Sequence, residues 1–516
     1  MATGTPGHSL RSVPQTPYPQ SDPGSAAMTD EQKRTLAVLL VPTFVSLLAV
    51  SSINVVLPTL RTDLHASTAG IQWIISGYTL VFGILLVPAG RAGDVLGRAR
   101  LFTIGLALFG LGSLGAGLAP SILLLNAARV VMGIGSGLLN PQVTGMIQRY
   151  YHGAQRGKAF GMLGGTVGVS VAFGPVLAGL LVEWLGADWG WRTSFLINVP
   201  IALGGACAAT RVLPASAWTG SEVAPVATPA DGAGRRRRRL DLDPVGMVLL
   251  GVTILLVLMP FIGTSDSVLR WLALPAAGLL LLGWILWERA YERRGREPMV
   301  ALALFTQRSF SNGTLLISLY FLGSTSVWLV IAQYLQAGLG DTALQSGLMG
   351  IPAAIAGAVI SPLLGRHVLR LGRPMVMWGM VVVAAGVLAT AWVVHMVDTA
   401  GWSQWWMLVS TFVIGAAGAF VVSPNQTLTL VDVPLEYAGA AGGVMQTGQR
   451  IGTAVGVAAI TNLLYSVLPE HGWAKAFIDS FELIAVIMLL AAVIALVDIV
   501  GSRRDRRRPR IPAPGE

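Results

Sequence analysis

Apolar stretches of about 20 residues, enough for an α-helix to cross a bilayer, recur fourteen times along this chain. They fall near 36–58, 71–91, 101–118, 121–147, 157–181, 194–213, 244–263, 270–287, 311–334, 344–368, 374–396, 404–428, 438–464 and 478–500. Basic residues gather in alternate gaps between them. One set of gaps carries Lys33/Arg34, Arg91/Arg98/Arg100, Arg149/Arg156/Lys158, Arg235 to Arg239, Arg289/Arg293/Arg294/Arg296, Arg366/Arg370/Arg373 and the tail from Arg503 to Arg510. The other set holds only Arg61, Arg192, Arg270 and Lys475. Loops rich in lysine and arginine stay on the cytoplasmic side of an inserted protein. The pattern therefore predicts an all-α, multi-pass protein of the cell membrane with 14 spans and both termini in the cytoplasm. Its expected parts are a disordered N-terminus (1–35), a six-helix bundle (36–213), a basic cytoplasmic linker (214–243), two additional helices (244–287), a cytoplasmic loop (288–310), a second six-helix bundle (311–500) and a basic tail (501–516).

Composition agrees. Of the 516 residues, 53% are hydrophobic and only 12% charged, against roughly 25% charged in ordinary soluble domains. The net charge of +10 suggests nucleic acid at first sight, but no aromatic residues interleave the arginines as a base-stacking surface requires. The basic runs read instead as topology signals that also touch anionic headgroups. The first apolar segment follows more than thirty polar residues and lacks a small-residue cleavage site, so it is expected to stay as a helix. One cysteine, Cys207, excludes an intramolecular disulfide and a cysteine metal cluster. Gly153-Ala154-Gln155-Arg156-Gly157-Lys158-Ala159 is one residue short of a phosphate loop and lacks its Ser/Thr. Neither cofactor, metal nor enzymatic chemistry is expected.

An internal repeat follows the second apolar segment, Gly90-Arg91-Ala92-Gly93-Asp94-Val95-Leu96-Gly97-Arg98, and returns after the tenth as Gly365-Arg366-His367-Val368-Leu369-Arg370-Leu371-Gly372-Arg373. If the seventh and eighth segments are an insertion, each copy follows the second helix of a six-helix set, the kind of duplication from which many transporters are built. In the fifth segment Gly161, Gly174 and Gly179 allow close helix approach, and Pro175 interrupts the hydrogen-bond ladder.

On these residues the chain resembles the major facilitator superfamily, and within it the fourteen-helix drug:proton antiporter branch. Gly90-x3-Asp94-x2-Gly97-Arg98-x-Arg100 is similar to the family's loop motif, and Arg129-x3-Gly133 to the basic motif of helix 4. Gly174-Pro175-x2-Ala178-Gly179, with Gly161 upstream, resembles the antiporter motif of helix 5, and Trp191-Arg192-Thr193-Ser194-Phe195-Leu196-Ile197-Asn198-Val199-Pro200 the signature entering helix 6. The resemblance implies a two-bundle transporter in which Gly90, Asp94, Gly97, Arg98 and Arg100 form a conformational latch; a solvated basic loop is the alternative. Leu369 deprives the second copy of a carboxylate, so the latch should depend on the first.

Ionisable groups deep in a membrane are costly and mark function. Here they are Arg129 and Arg450. Asn54, Gln72, Tyr78, Asn140, Tyr320, Tyr334, Asn425 and Gln446 are the candidate cavity residues, with packing as their alternative role. The branch usually places an aspartate in helix 1, and this chain has Ala49 there. Asp94, Glu183 and Glu288 fall near span ends, and Asp479 and Asp498 bracket the last span, which leaves Glu482 as the replacement proton site. The expected function is secondary active export of hydrophobic or amphipathic drugs or metabolites, with protons as coupling partner. The alternative is a facilitator or exporter of a specific, anionic metabolite without the helix 1 proton site.

Overall fold

A computed structural model describes residues 27–220, 243–261, 268–365 and 367–507. The arginine run at 235–239 and the side chains of Asn54 and Gln72 lie outside that description. Among the described residues there are helices and turns but no strand. The first bundle comprises α1 (Asp30–Ser51), α2 (Ile53–Asp63), α3 (Thr68–Leu96), α4 (Arg98–Gly117), α5 (Ile122–Tyr150), α6 (Gly153–Leu196) and α7 (Asn198–Val212). Then come α8 (Pro244–Leu258) and α9 (Ala273–Arg293). The second bundle contains α10 (Arg308–Gln333), α11 (Ala343–Leu348), α12 (Ile351–Gly365), α13 (Val368–Leu371), α14 (Arg373–Ala400), α15 (Met407–Ala419), α16 (Val422–Thr429) and α17 (Ala438–Arg507).

Among the described residues thirteen helical runs are long and apolar enough to cross a membrane, one fewer than the sequence pattern predicts. The difference lies in the last run, Ala438–Gly501, whose 64 residues would extend about 96 Å as one straight helix, three times the roughly 30 Å of a hydrocarbon core. Gly472 breaks it at φ 76, ψ 176, so the run folds back and makes two crossings. Gly186 breaks α6 in nearly the same conformation, φ 78, ψ 175. Each break stands between the fifth and sixth helices of its set. Both turns need a φ that side chains with a Cβ rarely adopt, so the repeat seen in the loop motif recurs in the backbone.

Several expected boundaries shift. Helix α1 begins at Asp30 rather than 36, because Thr29 and Gln32 form a capping box. Gln32 is buried and donates to Gln155 Oε1 at 3.2 Å. Residues 214–220, expected as linker, pack under the α3–α4 turn; a Cβ on Gly97 (φ +105) would meet the Trp218 carbonyl oxygen at 2.5 Å. The expected loop 288–310 is partly helical, since α9 runs on to Arg293 and Leu302–Thr306 forms a 3-10 turn.

Packing within each set uses small residues on facing helices, as membrane helices do where no water drives association. Large apolar side chains cover the outside instead: Leu123 is 77% exposed and Leu279 73%, which suits a lipid-facing surface. Exposed Trp402, Trp405 and Trp406 follow the end of α14, where interfacial aromatics belong. The additional helices lie over the junction of the two bundles. Leu250, Ile254 and Leu258 of α8 and Trp284 of α9 cluster with Val87 of α3, against Val444, Ile451 and Ala454 of α17.

Candidate functional site

Asp94 ends the second helix of its set just before the Gly97 break, and the fold buries it against the other bundle. One carboxylate oxygen accepts from Arg98 Nε at 3.0 Å and Nη2 at 2.8 Å. The backbone amides of Gly439 and Ala440, opening α17, donate to the same carboxylate at 3.2 Å. Arg98 then donates to Gly145 O in its own bundle (2.9 Å) and to Leu435 O in the other (3.0 Å). The pair is charge-assisted, buried and hydrogen-bonded on both sides, the condition under which a buried ion pair is tolerated. Gly90 lets the chains touch beside it, since a Cβ there would meet Ala440 N at 3.0 Å. Arg100, expected in the same device, is exposed and takes no part in it.

Sequence reasoning missed Gln148 and Arg91 among the groups that close this end, and took Gln446 for a cavity residue. Gln148 Nε2 donates to Leu430 O (2.7 Å) and Val433 O (3.2 Å), and Gln446 Nε2 to Thr144 Oγ1 (3.1 Å), all between bundles. Arg91, read only as a topology signal, is buried and paired with Glu297 at 3.1 Å. In the second copy of the motif Arg373 finds its carboxylate elsewhere: its Nε lies 3.1 Å from Asp498. Asp498, expected near headgroups, is therefore a buried counter-ion. Nothing local in the sequence pairs it with a residue 125 positions away.

The antiporter-motif helix forms a second seam with α12, and its glycines act as a ruler. A Cβ on Gly157 would collide with the Gly365 carbonyl; on Gly161 it would meet Ser361 O at 2.6 Å, on Gly165 Ala358 Cα at 3.3 Å, and on Gly168 nothing within 4 Å. Gly357 on the facing helix is equally clear. The helices touch at the Asp94 end and leave a gap at Gly168 and Gly357, beyond which the bundles meet again: a Cβ on Gly347 of α11 would lie 3.6 Å from Val176 Cγ2 and 3.7 Å from Pro175 Cβ. Gly174 faces its own bundle, where a Cβ would meet Ser52 N at 3.0 Å; Pro175 and Gly179 continue the helix.

Above the latch two arginines stand without carboxylates. Arg129 is buried, donates from Nε to Ile74 O at 3.0 Å and approaches Ala49 O at 3.5 Å. Its guanidinium lies 4.4 Å from the centroid of Tyr78, whose hydroxyl donates to Ser136 Oγ at 2.7 Å. Arg450 of α17 stacks over Phe82 at 4.4 Å, on the same helix as Tyr78. Cation–π contact partly replaces lost hydration, but among the described residues neither arginine has an acidic partner. Nearby Asn140 bonds its own helix at Ser136 O (2.9 Å).

Other expected cavity residues are placed elsewhere. Asn425 is buried in the second bundle, where Oδ1 accepts from Arg373 and Nδ2 donates to Gly313 O at 2.8 Å. Tyr334 packs on Phe477 at 5.0 Å, and Tyr320 fills the space over Gly418 beside Phe321; these three are packing residues. Glu482 is exposed between buried Phe481 and Ile484. It stands near Lys475 on the outside of its helix and is not among the neighbours of Arg129, which departs from the deep position expected of it.

Ala49 thus lines the contact that a helix 1 carboxylate would make with Arg129. Ala49→Asp should give transport a pH dependence of about fivefold or more, the lower range of ordinary coupling free energies. Substrate flux into inside-out vesicles, measured across a pH series for both proteins, checks it. An unchanged profile would place any coupling elsewhere.

Two helical bundles meeting at latched seams, with Arg129 buried inside the first, are the arrangement of a membrane transporter. The chain belongs to the Major Facilitator Superfamily, whose family model matches residues 39–240 and 245–457. It is 32% identical over 446 residues to the "Probable actinorhodin transporter" of Streptomyces coelicolor, covering 85% of this chain and 74% of that relative. It is 31% identical over 498 residues to the "Cephamycin export protein CmcT" of Amycolatopsis lactamdurans, covering 92% and 94%. The fold matches the solved proton:xylose symporter XylE with a TM-score of 0.61 at 15% identity, over 90% of this chain and 95% of that one.

Proposed function

We propose that this protein exports hydrophobic or amphipathic compounds, antibiotics or related secondary metabolites, by alternating access between its two bundles. The observation that carries the reading is the gradient along α6 and α12: contact at Gly157 and Gly161, open space at Gly168 and Gly357. Together with the Asp94–Gly439 tie, it supports a transporter closed at the latch end with space between its bundles at mid-seam, before Pro175 and Val176 of α6 meet Gly347 of α11. The names of the actinorhodin and cephamycin relatives support export as the direction. The alternate basic loops support a cytoplasmic placement of the latch end and of both termini, with six, two and six helices as the organisation. In that placement the closed end faces the cytoplasm, and rocking about the arginine pocket would release the latch and reopen the cavity inward.

Coupling to protons is part of this reading, with the lipid bilayer as the medium from which apolar substrates arrive. A second reading, movement of an anionic metabolite down its own gradient, is favoured by Arg129 and Arg450, both lacking a carboxylate partner among the described residues. Dye efflux from loaded cells separates the two. Efflux abolished by a proton uncoupler supports coupled export; uncoupler-insensitive flux of anions alone supports the second reading. Absence of flux for cationic, neutral and anionic compounds alike would overturn both.

A further inference from the structure

The two additional helices carry a pair of buried acids that the transport reading does not use. Asp243 caps α8 in a left-handed backbone conformation, φ 44, ψ 66, which aspartate tolerates because its short side chain bonds the nearby backbone. Its Oδ1 accepts from Gly246 N at 3.0 Å and from Trp287 Nε1 at 2.9 Å. Glu288, near the end of α9, accepts at Oε2 from Met299 N at 3.1 Å. Both side chains are fully buried.

The other oxygen of each acid, Asp243 Oδ2 and Glu288 Oε1, has no hydrogen-bond partner among the described residues. Both come within 3.0 Å of one point, the place a Cβ on Gly246 would occupy. Trp284, buried one turn before Glu288 on the same helix, turns its Nε1 toward the Glu288 carboxylate without completing a hydrogen bond of good geometry. The charged groups around the pair are few. Arg91 of α3 is engaged by Glu297, and Arg294 lies over the Trp287 ring at 6.0 Å. No described cation forms an ion pair with either acid.

Two adjacent carboxylates out of water cannot both stay ionised without a compensating charge. A single proton satisfies both orphaned oxygens at once, whichever acid carries it. We propose that Asp243 and Glu288 bind one proton between Oδ2 and Oε1, forming a proton site in the additional helix pair, separate from the Arg129 pocket. The site has a physical route to the latch. Met299 N holds Glu288, two residues away Glu297 holds Arg91, and Arg91 adjoins Gly90, whose backbone packs on Gly439. Loss of the proton leaves a second buried negative charge that competes with Glu297 for Arg91.

The binding claim is tested without any substrate, so its failure is distinct from failure of the export reading. Infrared spectra of the full chain in lipid nanodiscs should show a protonated-carboxyl stretch at neutral pH. Glu288→Gln should remove it, because Asp243 would then accept from Gly246, Trp287 and the new amide and hold no proton. Asp243→Asn should remove it by the mirror argument and serves if the first variant does not fold. Persistence of the band in both variants overturns the site. So does a wild-type protein without the band whose melting temperature rises on adding sodium or magnesium, since a metal cation then occupies the place of the proton.

Discussion

Asp94→Asn should reduce export about tenfold or more while leaving the protein folded and inserted. The variant keeps the side chain's shape but strips Arg98 of its charge partner in a place where both are buried. Breaking a buried pair by removing one member costs about 3–5 kcal/mol, and the amides of Gly439 and Ala440 exchange a charged acceptor for a neutral one. Both losses fall on the state in which the bundles are latched. A few kcal/mol taken from one of two states redistributes the population by a factor of tens to hundreds, so the transporter stalls with that end open. The readout is efflux of a fluorescent substrate at matched membrane abundance. Cysteine cross-linking across the seam, in a background lacking Cys207, should show the closed pair depleted in parallel. Normal efflux with normal cross-linking would remove the latch from the mechanism.

Gly157→Val should abolish transport by the complementary route. The glycine's α-carbon sits against the Gly365 carbonyl with no room for a Cβ, and both contacting elements there are backbone, which cannot swing aside as a long side chain would. The closed seam therefore has to part along α6 and α12. Gly168→Val, three turns further from the latch, meets nothing within 4 Å and should transport within about twofold of the parent, since substitutions away from packed features are usually mild. Comparable flux from the two valine variants, normalised to membrane abundance, would show that the α6–α12 contact is not part of the cycle.

Local periodicity reveals far more of this molecule than long-range pairing does. The spans were legible because lipid demands uninterrupted apolar runs, and the Asp94 motif because glycine and charge sit at fixed offsets within nine residues. The Gly186 and Gly472 turns fall in the gaps the pattern leaves between segments, but that helix runs right up to a single glycine on each side was not legible, since the polar residues around them read as loop. Asp498 and Glu288 looked like boundary acids because hydropathy registers distance from the span centre and not which neighbour arrives there. Their partners, Arg373 and the Met299 amide, come from other segments of the fold. Glu482 misled for the mirror reason: one turn into a span is a depth, whereas its orientation was fixed by the burial of Phe481 and Ile484. The placement of Ala49 against Arg129 needed the packed helices, although the missing acid itself was plain in the sequence.

The placement of α8 and α9 makes the two flanks of the transporter unlike. On the α3–α17 side, Leu250, Ile254, Leu258 and Trp284 form a greasy shield across the joint. On the α6–α12 side, Ile355, Val359 and Leu363 of α12 meet the surroundings bare. Among the described residues, a molecule built from near-duplicate halves is therefore roofed along one joint and left uncovered along the other.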